Sequence, residues 1–74
     1  MSLHPETFNY LNPSDRQKER MYRGREAAAG YAAVIEQICT EGPDKTYLLR
    51  KLREVAMWVN INITRHSDGA PRED

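Results

Sequence analysis

The sequence predicts an all-α protein, in which an N-terminal arm precedes an antiparallel two-helix hairpin that assembles as a symmetric homo-oligomer. Two long segments carry apolar residues at helical spacing, and a short link containing Gly-Pro separates them. A chain of 74 residues forms one small domain, which buries only a modest apolar surface by itself. Its single cysteine excludes an internal disulfide, so further copies of the chain are the expected source of added stability.

The arm is predicted over residues 1–13, which contain two prolines and no helical period. Its aromatic residues Phe8 and Tyr10 must pack on this chain or on a neighbour.

The hairpin domain is predicted over residues 14–65. Its first helix should begin after Ser14, because Ser14 and Gln17 have the spacing of a capping box. The main apolar stripe of this helix consists of Met21, Gly24, Ala28, Ala32, Ile35 and Cys39, and a second set widens it with Ala27, Tyr31, Val34 and Ile38.

The link between the helices is predicted at residues 40–44. Gly42 should end the first helix, and Asp44 should cap the second, which is expected over residues 45–65. The seam of the second helix consists of Leu49, Leu52, Ala56, Val59 and Ile63. Residues 55–63 are apolar nearly all round, and one hairpin does not cover such a helix, so this stretch also indicates an oligomer. Residues 66–74 are expected to form a flexible tail.

Composition excludes several classes of function. The formal net charge is zero, with 11 basic and 11 acidic residues, which argues against a general nucleic-acid binder. Basic residues cluster between Asp15 and Arg25, a pattern that suits a small anionic ligand. Motifs of enzymes, metal sites and cofactor sites are absent, and Cys39 on the apolar stripe is best interpreted as a structural thiol. The absence of a signal peptide or membrane-spanning segment, together with the lone thiol, favours the cytoplasm.

Tyr10 and the arginines of the first helix are candidate ligand contacts. Tyr10 can stack on a nucleobase, and the alternative is that it only anchors the arm. Arg20, Arg23 and Arg25 can grip phosphate, and the alternative for each is a solvated basic face.

The second helix offers four further candidates. Asn60 and Asn62 lie in its most apolar part, where they can fix the register of an oligomer or hydrogen-bond a ligand. Trp58 suits an interface core more often than a ligand platform. Arg65 complements the helix dipole at the C-terminal end.

The chain resembles the helical-hairpin family of phage anti-defence sponges, which includes the anti-CBASS cyclic-oligonucleotide sponge and the Thoeris anti-defence sponge. The resemblance spans residues 8–65, and the order of its motifs is its most specific feature. The motifs are Phe8-x-Tyr10-x-x-Pro13, Gln17-x-x-Arg20-Met21, Arg25-Glu26-Ala27-Ala28 and Leu49-Arg50-Lys51-Leu52-Arg53-Glu54-Val55-Ala56-Met57-Trp58-x-Asn60-x-x-Ile63-x-Arg65.

The resemblance implies a homohexamer of hairpins that binds cyclic nucleotide immune messengers in the cytoplasm of the infected bacterium, without catalysis. Tyr10 and Arg25 match the spacing of the arm tyrosine and first-helix lysine that form the family's dinucleotide pocket. Arginine in place of lysine keeps the charge but replaces a point charge with a planar fork. The residues expected to contact the ligand are Tyr10, Arg25, Phe8, Arg20, Trp58, Asn60, Asn62 and Arg65.

Overall fold

A computed structural model describes residues 2–73, which form two α-helices and no strand beyond one isolated bridge between Arg65 and Pro71. Helix α1 spans Asp15–Ile38 and helix α2 spans Pro43–Thr64. Contacts pair the start of one helix with the end of the other, so the helices are antiparallel. The predicted all-helical hairpin is confirmed. Met1 and Asp74, the outer ends of the predicted arm and tail, lie outside the described residues.

The N-terminus of α1 has the predicted capping box. The backbone N–H of Gln17 donates to Ser14 Oγ at 3.1 Å, and the backbone N–H of Ser14 donates to Gln17 Oε1 at 2.9 Å. These two bonds satisfy donors that a helix start otherwise leaves unpaired. Gln17 is also buried, and its Nε2 donates to the carbonyl oxygen of Ile63 at 3.3 Å. One side chain therefore caps α1 and ties it to the end of α2.

The link differs from the prediction in both of its caps. Helix α1 ends at Ile38 with Cys39 as its C-cap, so Gly42 does not end it. Gly42 is instead the N-cap of α2, and the expectation that Asp44 caps this helix is wrong. The reason is that Pro43 occupies the first helical position, where its fixed φ fits and its missing N–H costs nothing. Asp44 then lies in the first turn, where its negative charge favours the helix dipole.

The interface between the helices follows the main predicted stripes. Ile35 and Ile63 are the buried apolar side chains, at 4% and 6% exposure. A Cβ added to Gly24 would lie 3.4 Å from Val59 Cγ1, which shows how closely the helices approach there. The other main stripe residues of α1 and of the seam are half-buried, apart from Val59, which is exposed. These are Met21, Ala28, Ala32, Cys39, Leu49, Leu52 and Ala56.

The second predicted apolar set remains exposed in the hairpin. Ala27, Tyr31, Val34 and Ile38 are all exposed. The stretch of α2 that is apolar all round is exposed over most of its length, and its large exposed members are Val55, Met57, Trp58, Val59 and Ile61. A single hairpin therefore leaves uncovered the surfaces that the sequence pattern assigns to burial.

The arm and the C-terminal segment both fold against the end of α2. The arm is not fully extended, because Thr7 N–H donates to the carbonyl of His4 within a turn. The sequence favours a flexible tail from His66, but residues 66–73 instead fold back through their own turn. His66 N–H donates to the carbonyl of Ala70, and Arg72 N–H donates to that of Thr64. Backbone hydrogen bonds within the segment and to the end of α2 thus order a segment whose composition resembles a linker.

Candidate functional site

The arm, the end of α2 and the C-terminal segment enclose an open groove with two lobes, which we call the arm-end groove. Both lobes are lined by Trp58, Ile61, Arg65, His66 and Ser67. The larger lobe has a volume of about 420 Å³ and adds Leu3, Thr7, Phe8 and Gly69. The smaller lobe has a volume of about 260 Å³ and adds Asn62 and Arg72. Together the lobes are within the size range of small-molecule sites in proteins.

Arg65 holds the arm in place. Its Nη1 donates to the carbonyl oxygens of Glu6 at 2.9 Å and Gly69 at 2.7 Å, and its Nη2 donates to that of Asn9 at 2.6 Å. Three neutral carbonyls therefore occupy most of the guanidinium donors. Arg65 is the C-cap of α2, just beyond its last turn, and its interaction with the helix dipole stays a prediction. Arg65 also connects the arm to the C-terminal segment.

Gly69 lets the arm come close to the C-terminal turn. Its φ of 97° is in the region that favours glycine, and an added Cβ would collide with the side chain of Thr7. Thr7 Oγ1 donates to the carbonyl oxygen of His4, and His4 N–H donates to the carbonyl of Asp68 at 2.7 Å. The larger lobe therefore has a wall that depends on the arm remaining docked.

Trp58 and Phe8 are the aromatic residues of the groove. Trp58 is 61% exposed and lines both lobes. Phe8 is 87% exposed at the rim of the larger lobe. Exposed aromatic faces can stack on a nucleobase of any identity. Of the predicted ligand contacts, Phe8, Trp58, Asn62 and Arg65 meet in this groove.

The remaining predicted contacts lie elsewhere on the chain. Tyr10 is 87% exposed and does not line the groove. Arg25 is exposed on α1 and does not line the groove, and its guanidinium carbon lies 6.0 Å from the ring centroid of Tyr22. Arg20 is exposed on α1. Asn60 is half-buried, and its backbone carbonyl accepts a hydrogen bond from Thr64 Oγ1 at 2.9 Å.

The structure adds two ionisable residues that the sequence pattern does not identify. His66 lines both lobes, and Arg72 lines the smaller lobe. Both belong to the segment expected to be a tail, where composition alone indicates no site. The Gly69-x-Pro71 spacing is the one local sign of a turn that could return this segment to the helix.

Two further findings concern residues 2–73 as a whole. No cluster of three or more His, Cys, Asp or Glu side chains with metal-binding geometry occurs among them. None of the helices in this part of the chain has the length and apolar character needed to span a membrane.

Comparison with known proteins returned no matching family model, no matching curated protein and no matching solved structure.

Proposed function

We propose that this chain is a phage anti-defence protein that binds and sequesters cyclic nucleotide immune messengers without cleaving them. The ligand class comprises cyclic dinucleotides, cyclic trinucleotides and cyclic ADP-ribose isomers. The protein acts as a homo-oligomer, for which the resemblance favours a hexamer, in the cytoplasm of the infected bacterium. The observation that carries the proposal is the arm-end groove, where aromatic and cationic side chains from distant parts of the sequence line one site.

The chemistry of the groove supports a nucleotide ligand. A cyclic nucleotide presents flat bases and negative phosphates. Trp58 and Phe8 provide exposed aromatic faces, and Arg72 and His66 provide cationic or hydrogen-bonding groups beside them. The groove is open and the arm forms one wall, so a ligand enters without rearrangement of the helices. A sponge competes through affinity and slow release, which a site of this kind provides when the arm closes on the ligand.

Exposed apolar side chains support the oligomer. Monomeric soluble proteins rarely expose contiguous apolar patches larger than a few hundred Å². Here Tyr31, Val34 and Ile38 of α1 are uncovered, together with Val55 and Val59 of α2. Assembly would also bring residues of different copies together. In this arrangement Tyr10 of one copy stacks on a base while Arg25 of another pairs with phosphate, and the dinucleotide site lies between subunits.

The first test is the melting temperature of the purified protein with a panel of cyclic di- and trinucleotides and cyclic ADP-ribose isomers. A ligand that binds only the folded oligomer stabilises it by about 2.7 kcal/mol at a concentration of 100 Kd. We expect one or two compounds to raise the melting temperature clearly. Light scattering on the same samples reports whether the chain is oligomeric.

Two exposed aromatic residues provide a matched pair of variants for this test. Trp58→Ala should reduce the shift of any ligand that binds in the groove. Tyr47→Ala, at 63% exposure on the same helix, should leave that shift unchanged. An unchanged melting temperature with every compound at saturating concentration would refute the proposal.

A structural or protein-partner module is the second candidate. It is favoured by the same apolar surface, which can serve assembly with no ligand at all. This alternative expects an oligomer whose melting temperature does not respond to any nucleotide. The melting temperature measured with the nucleotide panel therefore distinguishes the two candidate functions.

A further inference from the structure

The two arginines of the arm-end groove differ in how their guanidinium groups are used. Arg65 donates through Nη1 and Nη2 to three backbone carbonyls. Arg72 donates instead through Nε, to the carbonyl oxygens of Asn62 at 2.7 Å and Arg65 at 2.9 Å. The opposite edge of its guanidinium, which carries Nη1 and Nη2, donates to no atom of residues 2–73.

The backbone of Arg72 is also held on both sides. Its N–H donates to the carbonyl of Thr64 at 2.8 Å, and its own carbonyl accepts a hydrogen bond from Gln17 Nε2 at 3.5 Å. The side chain is half-buried and lines the smaller lobe. Because Nε is already bound to the end of α2, the orientation of the guanidinium plane is set before any ligand arrives. A planar fork fixed in this way loses little freedom when an anion binds.

The side chains around Arg72 suit a phosphate that is attached to a base. Asn62 and Ser67 offer neutral donors, and Trp58 offers an aromatic face within the same 260 Å³ lobe. Among residues 2–73, no acidic side chain lines this lobe. The C-terminal end of α2 carries the negative pole of the helix dipole, and there Arg72 Nε donates to the carbonyl oxygens of Asn62 and Arg65.

We propose that the free edge of Arg72 binds phosphate, with Trp58 stacking on the attached base, while Arg65 positions the arm and does not contact the anion. This assigns a nucleotide phosphate subsite to a residue outside the segment that carries the family resemblance. The identity of the natural ligand rests on the proposed function, whereas the phosphate preference does not. It can be measured with simple probes.

The experiment uses Trp58, which is the one tryptophan of the chain, as a fluorescent reporter inside the groove. The probes are 3′,5′-cyclic AMP, which has a base and a phosphate, and adenosine, which has the base alone. We expect cyclic AMP to bind about tenfold more tightly than adenosine, as a charge-assisted bidentate contact implies. Inorganic phosphate added as a competitor should weaken cyclic AMP binding and leave adenosine binding unchanged.

Three variants test the residue. Arg72→Gln should bring the affinities for cyclic AMP and adenosine to within about twofold of each other. Arg72→Lys should retain only part of the preference for cyclic AMP, because a lysine cannot donate to the end of α2 and form a bidentate contact with phosphate at the same time. Arg50→Gln removes an exposed arginine from the first half of α2 and should keep the full preference. Circular dichroism melting of each variant checks that the fold survives.

The outcomes separate this subsite from the proposed function. A full preference for cyclic AMP in a folded Arg72→Gln variant would overturn the assignment. The assignment would also be overturned if cyclic AMP at about 10 mM did not bind to the natural chain. The dissociation constant would then be far higher than that of an ordinary nucleotide site. If the messenger panel gives no response and the Arg72-dependent preference is present, the sponge function fails and the subsite stands. If the messenger panel does raise the melting temperature and Arg72→Gln does not change that response, the sponge function stands and the Arg72 subsite fails.

Discussion

The two ends of the hairpin are built from contacts of very different range. At the closed end, where the link joins the helices, Lys45 pairs with Glu41 and Glu36, which are four and nine residues away. At the open end, Gln17 bonds to Ile63 across 46 residues and Arg65 to Asn9 across 56. The closed end is thus assembled locally, whereas the open end requires three separate parts of the chain.

This difference indicates how structure and function are divided in the molecule. Local contacts cost little loop entropy and can form as soon as the link turns. The arm and the C-terminal segment share the end of α2 as their support. Segments held by a few partly exposed hydrogen bonds open more easily than a core, and binding sites are commonly drawn from such regions. The groove lies at the end where the arm and the C-terminal segment are held by such bonds.

The largest expected effect comes from shortening a core side chain at either end. Ile35, near the link, and Ile63, at the open end, are equally buried. We expect Ile35→Ala and Ile63→Ala each to lower the free energy of unfolding by about 3 kcal/mol in urea titrations, because each removes buried methyl groups and leaves a cavity. Ile63→Ala should in addition weaken ligand binding in the groove, whereas Ile35→Ala should leave the ligand affinity unchanged.

Ile38→Ala is the matched comparison, since Ile38 is 70% exposed in the single hairpin. Its loss should stay below about 1 kcal/mol if the hairpin is monomeric, and it should be larger in the proposed oligomer, where another copy covers this face. A change of less than 1 kcal/mol in both buried-site variants would contradict the assigned core.

The sequence predicts the helix pairing and the start of α1 better than it predicts the link or the docked arm and C-terminal segment. The capping box of Ser14 and Gln17 is a local pattern, and the positions of Ile35 and Ile63 follow from helical periodicity, so both were accessible without coordinates. The cap of α2 was misassigned because aspartate is a good N-cap in general, while the preference of Pro43 for the first helical position decided this case.

The candidate site was accessible only in part. Trp58 and Phe8 are conspicuous as aromatics in exposed or apolar segments, and both line the groove. Arg72 carries no local signal, since its position depends on hydrogen bonds to Asn62 and Thr64 that no spacing rule predicts. For the same reason, the role of Arg65 in holding the arm follows from contacts with residues more than 50 positions away. Long-range backbone contacts are invisible to periodicity.

A smaller effect should follow from changing the residue that docks the arm. Arg65→Lys keeps the charge but loses the planar fork that reaches Glu6, Asn9 and Gly69 together. We expect amide hydrogen exchange of His4, whose N–H bonds to Asp68, to accelerate about tenfold, which corresponds to the loss of about one charged hydrogen bond.

The closed end supplies the internal control for this prediction. The amide of Cys39, which bonds to Ile35, should exchange at an unchanged rate in Arg65→Lys. Acceleration at both ends would mean that the variant destabilises the whole hairpin, and the two ends would then not be independent.

The smallest expected effect concerns the ion pairs of the closed end. The hydrogen bond that Lys45 Nζ donates to the Glu41 carboxylate raises the pKa of Lys45 above its ordinary value of 10.5; desolvation opposes this shift, and the carboxylate of Glu36 adds to it. A raised pKa in the folded state means that the stabilisation is complete below pH 10.5 and is lost as the pH rises through the folded-state value. Because both glutamates are exposed, solvent screens the pairs and the contribution is small.

Lys45→Met should therefore have a lower melting temperature than the natural chain at pH 8, and the gap between the two melting temperatures should narrow above pH 10.5. Lys51→Met, which removes an exposed pair with Glu54, is the matched control and should show a smaller gap at pH 8. A gap for Lys45→Met that is constant from pH 8 to pH 11 would assign the role of Lys45 to the packing of its methylene chain, and the closed end would then be held by local burial alone.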